Sequence, residues 1–441
     1  MPNKYISFLG TNDYLECRYA ADPEEKSHPV RFVQEATLSL FAKDAGQEDR
    51  AYIFLTNDAR QKNWEDDGQW DRKNDCLKKC QGLRTRIQRM DLPFPVEGVT
   101  IPDGHDEEQI WDIFDTVYQV LKPHDEIVFD ITHAFRSIPM IAIIILNYSK
   151  VLKDVKLRHI HYGAFEALGP PWEVSNKPVE DRVAPLLDLT PLATLSDWIT
   201  AIDRFIGAGD AGKVATLARQ AAMPVMAKSK GKDAAAKAVK GIADALGSFS
   251  GNLSTCRGPE VVRSAAFVKE ALSQNMDVDF VRPLVPLLKH VKENMSVFNE
   301  NPAHDGIQAA KWSLKHGMIQ QGFTILQETL ISFVLTRCGM DELDEKKRTI
   351  VSNLMGVLQK GTPESEWKGY LREDKYADQI LKCREVIEKW PDILGIWQNL
   401  TNCRNDMNHA GYRKNPLRHK DFEPKLESLI EKSEVSLMNS L

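Results

Sequence analysis

The 441-residue sequence predicts two domains, an α/β domain with a Rossmann-like parallel sheet followed by an all-helical domain. Three observations carry that expectation. Up to residue 165, short apolar runs ending in small or polar residues alternate with helical patterns. Prolines then interrupt the chain at 170, 171, 178, 185 and 191. Beyond Pro191 the strand signals stop and only helical patterns remain. The length also exceeds what one ordinary core accommodates.

Four runs read as strands: Tyr5 to Leu9, Tyr52 to Leu55, Glu126 to Phe129 and Leu157 to Tyr162. Helical stretches such as Glu107 to Leu121 separate them, which predicts right-handed crossovers and a parallel sheet. The expected division is an α/β domain over 1–175, a Pro-rich linker over 176–193 with room for a short strand or hairpin, and a helical domain over 194–441. In the last, helical patterns cover Thr194 to Ile206, Ala211 to Met226, Val261 to Ser273, Phe280 to Asn294, Ile307 to Arg337, Ala377 to Trp390 and Ile393 to Ala410. Lys228 to Lys240 carries five lysines among alanines, and reads as a solvated helix face or a mobile loop more readily than as an RNA contact.

The composition, 42% hydrophobic and 27% charged, is that of a globular protein. A formal charge of -6 excludes a surface coated with cations for bulk nucleic-acid binding, but leaves room for a local basic cleft. The N-terminal residues lack an apolar signal core, and the longest apolar stretch, Ile138 to Leu146, is too short to span a bilayer. A cytoplasmic protein with no membrane contact is expected. The seven cysteines are scattered. Cys76 and Cys80 form the one close pair, and no second pair or His cluster completes a zinc site, so reduced thiols and no metal are expected.

In open parallel sheets, ligands bind beyond the carboxyl ends of the strands, where strand order reverses. The residues at those ends are Gly10, Thr11, Asn12 and Asp13, then Thr56, Asn57 and Asp58, then Asp130 to His133, and Gly163. The first loop lacks G-x-G-x-x-G, so a dinucleotide cofactor is not indicated. The segment Asp130-Ile131-Thr132-His133-Ala134-Phe135-Arg136-Ser137-Ile138-Pro139 reads as a buried strand, a polar turn and a helix opening with proline in its first turn. Free N–H groups at such a start favour phosphate, with Thr132, His133, Arg136 and Ser137 as added donors. Equally, Asp130 and Thr132 can simply cap the helix while Arg136 pairs on the surface.

The second informative segment is Thr401 to Ala410. On a helix, Ile396, Leu400, Cys403 and Met407 form an apolar stripe, Asn402, Asn405 and His409 a polar strip, and Arg404 lies between them. Asparagines at 399, 402, 405 and 408 weaken a helix unless they find partners, and a clash between propensity and pattern often marks a functional site. A solvated helix face with an ordinary surface histidine fits the same spacing. As chemistry, His409 suits general acid–base work near neutrality, Arg404 suits a phosphate and its developing charge, and Asn405 can orient the imidazole or the RNA.

The Asp130 to His133 segment resembles the D-x-T-H-G motif of a CRISPR-associated family, with Ala134 in place of the usual glycine. Phe8 to Thr11, with Tyr14 and Tyr19, resembles that family's first strand and loop. Arg404 to His409 is similar to the R-x(4–6)-H motif of HEPN ribonucleases. Trp198, Ala201, Arg204, Phe205, Gly209 and Asp210 resemble the first effector-side helix. Lys311 to Leu314, Gln321 to Thr324 and Glu328 resemble the helix before the catalytic region.

By these motifs the chain resembles CARF–HEPN ribonucleases of type III CRISPR systems over nearly its whole length. The resemblance implies a CARF sensor domain and a HEPN domain. A cyclic oligoadenylate, tetra-adenylate before hexa-adenylate, would be the allosteric activator near Thr11, Asn12, Asp130, Thr132 and His133. The substrate would be single-stranded RNA, cut without metal or other cofactor to a 2′,3′-cyclic phosphate. The assembly would be a homodimer or larger homo-oligomer, with two Arg404/His409 pairs meeting across a two-fold axis. Two other readings stay open: a ring nuclease that degrades the activator in the N-terminal pocket, and an inactive sensor.

Overall fold

The computed structural model describes residues 3–22, 25–71, 74–133, 138–275, 284–390 and 392–438. The chain divides into two compact units, Met1–Thr194 and Leu195–Leu441. The first is an α/β unit and the second is helical, as the sequence predicts.

Among the described residues, the first unit holds an eight-stranded sheet built from β1 (Asn3–Leu9), β2 (Arg18–Asp22), β3 (Glu25–Lys26), β4 (Arg50–Leu55), β7 (Val96–Thr100), β8 (Glu126–Asp130), β9 (Lys156–Gly163) and β10 (Val183–Asp188). A small hairpin, β5 (Trp70–Asp71) and β6 (Cys76–Leu77), stands apart. The spatial order is β3-β2-β10-β9-β8-β1-β4-β7. The five strands β7, β4, β1, β8 and β9 pair in parallel, and β10 closes antiparallel on β9.

Alternation along β1 sets the layers. Ile6 and Phe8 join Phe54, Phe129 and Ile160 under the helices Glu107–Val120 and Ile138–Lys153. Tyr5 and Leu9 join Ile53, Leu55 and Val128 under the helices Val33–Ala42 and Leu83–Gln88. Both faces are therefore covered, which is why the strands read as nearly continuous apolar runs. Each fully buried Phe or Ile contributes about 1.5–3 kcal/mol to that sandwich.

All four expected strands are in the sheet. The Pro-rich segment expected as a linker differs: its strand, β10, pairs with β9 and β2, so the first unit runs to Thr194. Pro185 is accommodated because its carbonyl accepts from the Ala164 N–H at 2.9 Å, while the N–H it lacks is not needed there.

The helical unit has two cores. One gathers Trp198, Phe205, Phe249, Phe298 and Trp312; the other gathers Phe323, Leu330, Leu354, Ile396, Leu400 and Leu426. The single helix expected over Ile307 to Arg337 is two, Pro302–Lys315 and Ile319–Arg337. Gly317 takes φ +70, and the N–H groups of Gly317 and Met318 return to the carbonyls of Leu314 and Ser313, a Schellman stop. The lysine-rich segment forms the end of one helix, a turn and the start of the next, with Lys228, Lys230, Lys232 and Lys237 exposed. No helix among the described residues is long and apolar enough to cross a membrane.

Candidate functional site

The sheet order places a switch point between β1 and β8: β4 and β7 lie beyond β1 on one side, and β9 follows β8 on the other. Two adjacent cavities lie at the carboxyl ends of these strands. One, of 270 Å³, is walled by Gly10, Thr11, Asn12, Thr56 and Ile101 among others. The second, of 460 Å³, is walled by Asp13, Tyr19, Arg31, Tyr162, Gly163 and Glu166 among others. Asn12, Tyr14, Thr132 and His133 face both.

Beneath the cavities sits Asp130, 0% exposed. Its Oδ2 accepts from the hydroxyls of Tyr5 (3.0 Å), Ser7 (3.2 Å) and Thr37 (3.2 Å). Its Oδ1 accepts from the Thr132 N–H (3.0 Å) and the Thr132 hydroxyl (2.6 Å). No cation completes this arrangement among the described residues; hydroxyls and an amide satisfy the carboxylate. Asp130 therefore lies under the ligand surface and orients Thr132. The Thr132 hydroxyl also accepts from the Gly163 N–H at 2.8 Å, tying β8 to β9.

The first loop is held from the side. Asn63, fully buried in a π-helical turn over Arg60–Trp64, donates to the carbonyls of Gly10 and Asn12, both at 2.8 Å. Gln69 donates to the Asn12 carbonyl at 3.2 Å and to Asn63 Oδ1 at 2.8 Å. A Cβ on Gly10 would sit 2.4 Å from the Tyr14 hydroxyl, so glycine lets that ring close over the loop. Tyr14 lies against His133, ring centroids 4.2 Å apart. Burial holds the His133 imidazole down at about 4, against the opposing pull of the Asp130 carboxylate, so it is neutral at pH 7. Its Nε2 is sealed from solvent and has no hydrogen-bond partner.

Of the ligand residues expected from sequence, Gly10, Thr11, Asn12, Asp13, Thr56, Thr132 and His133 line the paired cavities. Asp13 arrives already neutralised by Arg31 at 3.3 Å and by Lys78. Asn57 is exposed at the start of a short helix and lies outside both walls. Arg136 and Ala134 lie outside the described residues. Asn63, Gln69, Arg31, Tyr5 and Thr37 were not foreseen. Each reaches its partner across 18 or more residues, where no local pattern signals it.

In the helical unit the segment from Ile393 to Asn408 is a helix with His409 as its C-cap. Ala410 takes φ +51, and the N–H groups of Ala410 and Gly411 return to the carbonyls of Met407 and Asp406, again a Schellman stop. Ile396, Leu400 and Cys403 are buried and Met407 packs on the same core. The apolar stripe is thus consumed inside the protomer, by the helices Ile319–Arg337 and Glu345–Gln359 among others, and is not free to seat a partner helix.

Arg404 stands between two cavities, of 380 and 680 Å³, and lines both. Its Nη1 donates to Gln327 Oε1 at 3.0 Å and Glu328 Oε1 at 3.1 Å. Its Nε is buried without an acceptor. An unmet buried donor costs about 1–3 kcal/mol. Asn405 lines the larger cavity. His409 is exposed and belongs to neither wall. Five positions along an α-helix correspond to a rotation of roughly 140°, so Arg404 and His409 do not share a face. The described residues contain no cluster of His, Cys, Asp or Glu suited to a metal ion.

No known family profile matches the chain. Over 304 residues, 67% of its length, it is 23% identical to a CRISPR-associated protein of Methanocaldococcus jannaschii. The match covers 43% of that protein, so the chain spans less than half of its relative's length. A cavity at a switch point and an R-x4-H helix thus occur together in a chain that is similar to a CRISPR-associated protein.

Proposed function

We propose that this chain is a CARF–HEPN ribonuclease of a type III CRISPR system, a cytoplasmic homodimer that cuts single-stranded RNA when a cyclic oligoadenylate fills the N-terminal pocket. The observation that carries the reading is Arg404: a guanidinium at the lip of two cavities, on an R-x4-H helix, with a buried Nε that lacks an acceptor. The exposed part of the same guanidinium suits a phosphate oxygen.

In the proposed step the RNA 2′-oxygen bonds to the adjacent phosphorus and the bond to the 5′-oxygen breaks. The products are a 2′,3′-cyclic phosphate and a 5′-hydroxyl. His409 moves the proton and Arg404 carries the charge of the phosphorane. Because Arg404 and His409 point apart in one protomer, a second copy completes the site. An exposed apolar face supports the presence of a second copy. On the helix Ile138–Lys153, Met140, Ile143, Ile144, Tyr148, Val151 and Leu152 are exposed at helical spacing, an apolar stripe of the kind that marks an interface. In the ring-nuclease alternative the Thr132 hydroxyl proton would not serve the reaction, because it is committed to Asp130.

The test is cleavage of a fluorescent single-stranded RNA in EDTA, with and without cyclic tetra- or hexa-adenylate, by wild type and His409→Ala. Cleavage that needs one ring size and falls at least about 10³-fold in the variant supports the proposal. Ring binding without RNA cleavage, or products ending in 3′-hydroxyls, overturns it.

A further inference from the structure

The acceptor that holds Arg404 is itself held. Glu328 gives one oxygen to each of two guanidinium groups: Oε1 accepts from Arg404 Nη1 at 3.1 Å and Oε2 accepts from Arg348 Nη2 at 2.7 Å. Arg348 is anchored before it reaches the carboxylate. Its Nη1 donates to the Ser332 hydroxyl and the Glu342 carbonyl, both at 2.8 Å, and its Nη2 donates to the Glu328 carbonyl at 3.0 Å. Gln327, the neighbouring residue on the same helix, adds the second acceptor to Arg404 Nη1 at 3.0 Å and is steadied by a bond to Thr401 at 3.1 Å. Both contacts fall on Nη1. The opposite edge of the guanidinium, which includes the partnerless Nε, receives none of them.

We propose that Glu328, backed by Arg348, is a positioning residue: it clamps the Nη1 corner of Arg404 so that the part of the guanidinium left exposed is held, fixed in orientation, toward the scissile phosphate. This rests on the ribonuclease reading above. A guanidinium binds phosphate best through two parallel N–H donors, and that geometry is lost if the group swivels. The opposite role, a carboxylate that occupies Arg404 and keeps phosphate out, has the opposite consequence: neutralising Glu328 would then raise activity. The clamp also crosses from the helix Ile319–Arg337 to the helix Ile393–Asn408, so any shift between these two helices moves the Arg404 edge.

Two measurements on the full-length protein test this. Under activator, Glu328→Gln is expected to lower kcat about 10- to 100-fold with KM changed less than about threefold, and Glu328→Asp, which keeps the charge, to recover part of the loss. The second readout needs no activity: phenylglyoxal labelling of Arg404 followed by mass spectrometry. Freed from its carboxylate, Arg404 in Glu328→Gln should label about fivefold faster, while Arg418, paired with Asp421 at 2.9 Å, serves as the unchanged control. Wild-type kcat, or activity without activator, in Glu328→Gln would overturn the clamp. If the wild type cuts no RNA, the ribonuclease reading falls and the labelling alone decides: equal Arg404 labelling in both proteins refutes the clamp.

Discussion

Asp130 and Arg404 are the charged centres of the two units, and they are finished to different degrees. Asp130 accepts five hydrogen bonds, and the loop above it is pinned by Asn63 and Gln69. Thr132 uses its hydroxyl both to donate and to accept. Arg404 is held at one corner and bare at another, and among the described residues the side chains of Asn405 and His409 have no hydrogen-bond partner. The contrast suits the proposed division of labour. A pocket that reads a ligand gains from being rigid before the ligand arrives, since ordering it afterwards would subtract from affinity. A site that must stay idle until signalled gains from being incomplete in a single chain.

The largest expected effect breaks the finished side. Asp130→Ala leaves four hydroxyls and one amide aimed at a void beneath the sheet's switch point. We expect it to lower the stability of the first unit by about 4 kcal/mol, and to abolish binding of the cyclic ligand. Arg404→Ala should cost under about 1 kcal/mol, because Glu328 keeps Arg348 as a partner. Denaturant unfolding of the two variants checks both. Equal midpoints would remove the distinction between a structural carboxylate and a functional guanidinium.

That distinction was only half legible in the sequence. The strands that build the switch point announce themselves because a sheet covered on both faces demands uninterrupted apolar runs, as in Tyr5 to Leu9 and Ile127 to Phe129. β7 and β10 do not, because Gly98 and Pro185 mask them and each relies on partners far along the chain. The Asp130 to His133 and Arg404 to His409 segments stand out by local spacing. What they touch does not: Tyr5 meets Asp130 across 125 residues and Glu328 meets Arg404 across 76. Spacing along one helix also cannot say which apolar stripe stays free. The stripe through Leu400 and Cys403 is spent on the protomer's own core, whereas the one through Ile143 and Ile144 is exposed.

A second, smaller effect sharpens the comparison through pH. The His133 ring is held near 4, below its ordinary 6.5, chiefly by burial. In the unfolded chain it therefore takes up a proton at a pH where the folded chain does not. The stability tied to its burial is complete above 6.5 and is lost as the pH falls toward 4. The loss is at most about 3 kcal/mol and belongs to the first unit. Chemical denaturation followed from pH 7 to pH 4 should show it, and His133→Asn should flatten the profile. A profile unchanged in that variant would mean the ring is not the group that titrates.

The smallest effect probes the pocket wall without unsettling what lies beneath it. Gly10→Ala places a methyl 2.4 Å from the Tyr14 hydroxyl, and the far end of a tyrosine can yield where a backbone cannot. Folding should therefore suffer by about 1 kcal/mol. Moving Tyr14, however, disturbs its contact with His133 and the boundary shared by the two cavities. Affinity for the cyclic ligand should then fall about tenfold while RNA cleavage at saturating ligand stays near wild type, since Arg404 and His409 are untouched. Titration of activator against cleavage rate reads both quantities in one experiment. A parallel loss of maximal rate would instead place the Tyr14–His133 contact in the signal that passes between the units.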